Sequence, residues 1–169
     1  ISVNALARLG LDEVWWLVSP QNPLKSTAGM AGFAERLAGA RATARHPRIR
    51  VLDIEERLGT RYTVDTLAAL RRRFPQLHFV WIAGADLLSQ LPRWARWTEM
   101  FERVPIAVFA RPSYVLRAMA GKAATRFASY RVETARGRGL PAMSPPAWAF
   151  FPIRLHPASA TALRAARRA

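Results

Sequence analysis

Apolar and polar positions along this chain switch repeatedly between two periods. Short runs rich in Val, Ile, Trp and Phe predict buried strands, and i, i+3, i+4 spacings between them predict amphipathic helices. The first helix covers Ile1–Leu9 and ends on Gly10 as a C′ glycine. Strands are predicted at Glu13–Val18, Ile49–Ile54, Leu77–Ile82, Ile106–Ala110 and Ala147–Ile153. Between them, Met30, Phe33, Leu37 and Ala40 mark one face of a helix running to about Ala44. Val64, Leu67, Leu70 and Phe74 mark another, capped by Thr63. Shorter helices are expected around Leu87–Gln90 and Trp94–Phe101, and a longer one from about Ser113 to Tyr130. Val132–Pro146, rich in Gly, Pro and Arg, reads as an exposed loop, and Ala160–Arg168 as a last helix capped by Ser159. Strands alternating with helices are the signature of parallel βαβ units. The fold class is therefore α/β: a single Rossmann-like three-layer domain over residues 1–169 with a mainly parallel sheet.

Composition sharpens this picture. The chain has 169 residues, enough for one domain with a real core. No apolar run approaches the roughly 20 residues of a membrane-spanning helix, so no membrane partner is expected. There is no cysteine, which excludes disulfide and thiolate chemistry and fits a reducing, cytoplasmic setting. Nothing clusters with metal-ligand spacing. The formal charge of +15 is concentrated late: residues 103–169 carry 12 basic side chains and only Glu133 as an acid. Such a field favours phosphates. However, 24 of the 26 basic residues are Arg, and they form neither the tail nor the helical stripe of a dedicated DNA binder.

Candidate chemistry sits where strands end. In open α/β sheets, ligands bind beyond the carboxyl ends of strands. There, Trp81-Ile82-Ala83-Gly84-Ala85-Asp86 places an acid at a strand-to-helix turn, and Leu91-Pro92-Arg93-Trp94-Ala95-Arg96-Trp97 supplies stacking surface. Val18-Ser19-Pro20-Gln21-Asn22-Pro23-Leu24-Lys25 leaves the first predicted strand with an amide and a mobile cation, although ordinary turn chemistry would also account for it. Arg61-Tyr62-Thr63-Val64-Asp65 opens a helix whose amides attract anions; Asp65 in the first turn also has a purely stabilising reading. Ser159, Thr161 and Arg164 at the last helix start form either a polyphosphate cradle or simply a capped basic helix.

Taken in order, "SPQNPLK", "YTVDTLAALR", "WIAGADLLSQLPRWARW" and "SATALR" resemble the bacterial nicotinate-nucleotide adenylyltransferases of the His-x-Gly-His nucleotidyltransferase superfamily. The resemblance covers essentially the whole chain, and the pairing of Gly-Ala-Asp with Pro-x-Trp is its most discriminating part. It implies adenylyl transfer from ATP to nicotinate mononucleotide, giving nicotinate adenine dinucleotide and pyrophosphate, with Mg²⁺ accompanying ATP. It further implies that Trp94 stacks on the pyridine ring while Ala95 and Thr63 hold its carboxylate, and that Asn22 and Lys25 lie near the mononucleotide phosphate. Gly84 and Asp86 would meet nucleotide sugar, and Ser159, Thr161 and Arg164 the ATP phosphates, with Arg164 stabilising the reacting charge. Trp97, three residues from Trp94, reads more readily as a core plug than as a ligand contact. His46, His78 and His156 read as ordinary residues rather than catalysts.

The family's Gly-x-Phe-x-Pro-x-His-x-Gly-His segment has no counterpart here, and Ile1 matches the helix just beyond it. The expectation is an N-terminally truncated domain lacking its first, central strand. The strands at Glu13–Val18 and Leu77–Ile82 would then each show an unpaired apolar edge. Two alternatives stay open. A sister adenylyltransferase would use nicotinamide mononucleotide or phosphopantetheine, the latter disfavoured because it offers Trp94 no flat ring. A non-catalytic basic module would bind nucleic acid through residues 103–169, with steep salt dependence.

Overall fold

The computed structural model describes residues 1–20, 31–112 and 114–153. Eight α-helices and six strands are seen among them: α1 (Ser2–Leu9), β1 (Val14–Leu17), α2 (Phe33–Thr43), β2 (Ile49–Leu52), α3 (Ile54–Leu58), α4 (Thr63–Arg73), β3 (Trp81–Gly84), α5 (Ala85–Gln90), α6 (Trp97–Arg103), β4 (Ile106–Phe109), α7 (Val115–Met119), α8 (Lys122–Arg126), β5 (Arg131–Val132) and β6 (Trp148–Phe151). Every strand pairing is parallel. Among the described residues no helix is long and apolar enough to cross a membrane.

Three layers follow from the period-2 alternation of β4 and β6. Ile106, Val108, Trp148 and Phe150 point to one face, where α4, α5, α6, α7 and α8 supply Leu67, Leu88, Phe101, Ala118 and Ala124. Ala107, Phe109, Ala149 and Phe151 point to the other face, covered by Ala5 and Leu9 of α1 and by Leu140. All eight strand residues are buried, so the near-continuous apolar runs IAVF and WAFF are what a sheet covered on both sides requires.

The sheet is in two pieces. One has the order β3-β4-β6-β5, and the other pairs β1 with β2. Among the described residues β1 and β3 each have one edge without a strand partner, as expected for Glu13–Val18 and Leu77–Ile82. Between these edges opens a cleft of about 1300 Å³. Trp15 of β1 meets Phe79 edge-to-face, with ring centroids 5.6 Å apart, and so links the two pieces.

Several predicted elements are corrected. The strand expected at Leu77–Ile82 is Trp81–Gly84, because Trp81 is the first residue in register with β4, opposite Ile106. Leu77–Val80 have no ladder and line the cleft instead. The strand at Ile49–Ile54 stops at Leu52, and Ile54 opens α3, which ends at Gly59 with φ 62°. Thr63 is the first helical residue of α4 rather than its cap; Tyr62 holds that position and no side chain caps it. The expected helix from Ser113 to Tyr130 is broken at Gly121 into α7 and α8. Val132–Pro146 is not an exposed loop: Thr134–Ala142 winds as 3₁₀ turns with Gly137 and Leu140 buried. A Cβ on Gly137 would come within 2.7 Å of the Phe151 ring, and that close approach is why glycine stands there. Gly10 does end α1 in the left-handed region, with φ 64°.

Candidate active site

The cleft is walled by strand ends and helix starts. Thr63, Gly84, Trp94 and Ala95, which belong to three separate segments of the sequence, all line it. Asn22, Lys25, Ser159, Thr161 and Arg164, and with them the expected last helix, lie outside the described residues.

Trp94 and Ala95 are not helical, contrary to the helix expected over Trp94–Phe101. Pro92 sits in a 3₁₀ turn over Leu91–Arg93, Trp94 is extended, and α6 begins only at Trp97. The Trp94 indole is half-buried and meets Trp81 edge-to-face at 5.9 Å. Trp97 packs against Phe101 and Phe127; both tryptophans are partly buried against the core, and of the two it is Trp94 that lines the cleft. The hinge between them is Arg96, with φ 48°, the one non-glycine residue with positive φ among those described. That conformation costs a side-chain-bearing residue roughly 1–2 kcal/mol. An ion pair accompanies it: Arg96 Nη2 lies 2.6 Å from Asp65 Oδ1 in the first turn of α4. This hydrogen bond holds the Arg96 guanidinium above its ordinary pKa.

Gly84 ends β3 and Asp86 lies in the first turn of α5. Asp86 is not itself on the cleft wall. Its Oδ2 pairs with Arg111 Nη1 at 3.3 Å, and Arg111 lines the cleft. Its Oδ1 is buried without a hydrogen-bond partner. A Cβ on Gly84 would collide with that oxygen and come within 2.8 Å of Arg111 Nε. Glycine is therefore needed for space, since its φ of −81° suits any residue.

Glu55 of α3 also lines the cleft. It accepts a hydrogen bond from Thr66 Oγ1 at 3.2 Å. Burial pushes its carboxyl above the ordinary range, partly offset by hydrogen bonds from Ser19 and Thr66. His78 is exposed, and His46 Nδ1 accepts from the Arg48 amide at 3.2 Å.

Sequence reasoning missed Arg111, Glu55 and the Arg96–Asp65 pair. Arg111 was findable, because a cation two residues past β4 stands at a strand's carboxyl end. Glu55 was also within reach: Asp-Ile-Glu-Glu-Arg-Leu-Gly at residues 53–59 has an acidic first turn and a terminal glycine. The Arg96–Asp65 pair spans 31 residues and has no local signal.

Comparison with known proteins identifies the family. Residues 2–166 match the cytidylyltransferase-like family. A Parvibaculum lavamentivorans protein is 57% identical over 159 residues, 94% of this chain and 79% of the relative. A Cereibacter sphaeroides protein is 51% identical over 168 residues, covering 99% and 89%. One from Ruegeria pomeroyi is 46% identical over 166 residues, covering 98% and 78%. All three carry the name "Probable nicotinate-nucleotide adenylyltransferase". On these grounds the chain belongs to the cytidylyltransferase-like family, alongside its nicotinate-nucleotide adenylyltransferase members.

Proposed function

We propose that this chain carries out adenylyl transfer from ATP to nicotinate mononucleotide, a step of NAD biosynthesis that yields nicotinate adenine dinucleotide and pyrophosphate. The observation that carries the reading is the convergence of Thr63, Gly84, Trp94 and Ala95 on one cleft at the carboxyl end of β3. A half-buried indole beside a helix start suits a flat ring bearing a carboxylate, because the ring stacks while helix N–H groups face the anion.

In the reaction, a phosphate oxygen of the mononucleotide attacks the α-phosphorus of ATP in line. The bond to the bridging oxygen breaks, and pyrophosphate leaves with its electron pair. No protein nucleophile is required, so the chain's work is to position substrates and to place positive charge where phosphate charge develops. Trp94 orients the pyridine ring, with Ala95 and Thr63 at its carboxylate. Gly84 and Asp86 meet nucleotide sugar. Asn22 and Lys25 serve the mononucleotide phosphate, and Ser159, Thr161 and Arg164 the ATP phosphates. Divalent metal enters with ATP as part of the substrate, Mg²⁺ being the ion proposed. Its ligands would be largely ATP oxygens.

Pyrophosphate release from ATP tests the reading, with nicotinate mononucleotide, nicotinamide mononucleotide and phosphopantetheine offered in parallel. Turnover with a pyridine mononucleotide is expected. No pyrophosphate with either pyridine substrate would overturn it.

A further inference from the structure

Arg96 holds an unfavourable backbone conformation without touching the cleft. It lies one residue beyond Ala95, outside the cleft lining, and its φ of 48° turns the chain between Trp94 and α6. That turn brings its guanidinium to Asp65, in the first turn of the helix whose start, Tyr62 and Thr63, lines the cleft. An uncompensated Asp65 carboxylate there would oppose an incoming anion and cancel part of the helix-end attraction. Paired with Arg96, it does not.

We propose that Arg96 is a positioning residue that sets ligand charge preference. By neutralising Asp65 beside the Trp94–Ala95 turn, it lets the start of α4 accept a pyridine carboxylate in preference to the uncharged amide. Three features support this. The pair is short, at 2.6 Å. Glu99, the other acid near Arg96, is more distant at 3.9 Å and has its own partner in Arg103 at 3.1 Å. Of the other charged residues on this part of the wall, Arg61 and Arg93 are cationic, and the one acid, Glu55, is occupied by a hydrogen bond from Thr66 Oγ1 at 3.2 Å. The inference rests on the proposed function, because it concerns the ligand's ring substituent.

Equilibrium affinities for nicotinate mononucleotide, nicotinamide mononucleotide and ATP, measured by calorimetry, test it. The wild-type protein is compared with Arg96→Ala, Arg96→Gly, Arg96→Lys and the double variant Arg96→Ala/Asp65→Asn. An exposed ion pair couples weakly, so removing Arg96 is expected to weaken the acid ligand about three- to fivefold relative to the amide, with ATP unchanged. Lysine should retain most of the preference. The double variant should regain it, because no bare carboxylate remains. Glycine accepts the positive φ without strain, so its loss of preference reports charge rather than misfolding. Equal weakening of acid and amide, parallel loss of ATP, or no recovery in the double variant would overturn the inference. If the wild-type protein binds neither mononucleotide, the functional reading itself fails, and that is seen before any variant is compared.

Discussion

Gly84→Ala places one methyl group where the site has no room for it. At φ −81° and ψ 157° the backbone suits alanine, so the substitution by itself would stabilise by about 0.4–1 kcal/mol through the unfolded chain. Against this, the new Cβ overlaps Asp86 Oδ1 and lies 2.8 Å from Arg111 Nε and 3.2 Å from Arg111 Cδ. Overpacking of this kind costs about 1–3 kcal/mol. The expected net loss is about 1–2 kcal/mol, or roughly 2–8 °C in Tm for a chain of this size. Arg111 is flexible and half-exposed, but Asp86 Oδ1 is enclosed, so the carboxylate is the rigid obstacle. Asp86→Ala removes it and frees Arg111 to swing into solvent. In that background Gly84→Ala should become neutral or slightly stabilising. Urea unfolding of the four proteins yields the coupling energy, expected at about 1–2 kcal/mol. An equal Gly84→Ala loss in both backgrounds would refute the assignment of this glycine to the Asp86 contact.

Three further outcomes are expected. Trp94→Ala should weaken nicotinate mononucleotide by about 1–3 kcal/mol of lost stacking while leaving ATP affinity nearly unchanged, as measured by separate titrations; equal losses would contradict its role. Glu55→Gln should raise stability at neutral pH. A carboxyl whose folded pKa is raised carries no penalty below its unfolded pKa and loses stability as pH rises through the folded value, so the gain should vanish near pH 4 in thermal melts. Trp148→Phe should cost about 3 kcal/mol in urea unfolding, because the fully buried indole donates to the Phe127 carbonyl at 2.7 Å and its loss leaves both a cavity and an orphaned acceptor.

Local patterns carried much of the architecture. IAVF and WAFF are apolar at every position, which only a sheet covered on both faces accommodates, and both lie within their predicted ranges. Gly10 ended a helix, as a C′ glycine should. The segments around Thr63, Gly84 and Trp94, far apart in the chain, line one cleft. Boundaries were less legible. Hydrophobicity extends a strand through Leu77–Val80, whereas a ladder begins only where a partner exists, opposite Ile106. Thr134–Ala142 looked like loop because Gly and Pro dominate it; Leu140 and the Phe151 ring against Gly137 made it part of the core.

The amino-acid order alone thus determined the parallel α/β class, because periodicity and turn residues act within a few positions of themselves. Tertiary structure alone decided that β3 begins only at Trp81, that Glu55 loses solvent, and that Arg96 reaches Asp65. Those outcomes depend on which groups meet across long stretches of chain, where burial and charge pairing act through space and leave no periodic trace in the sequence.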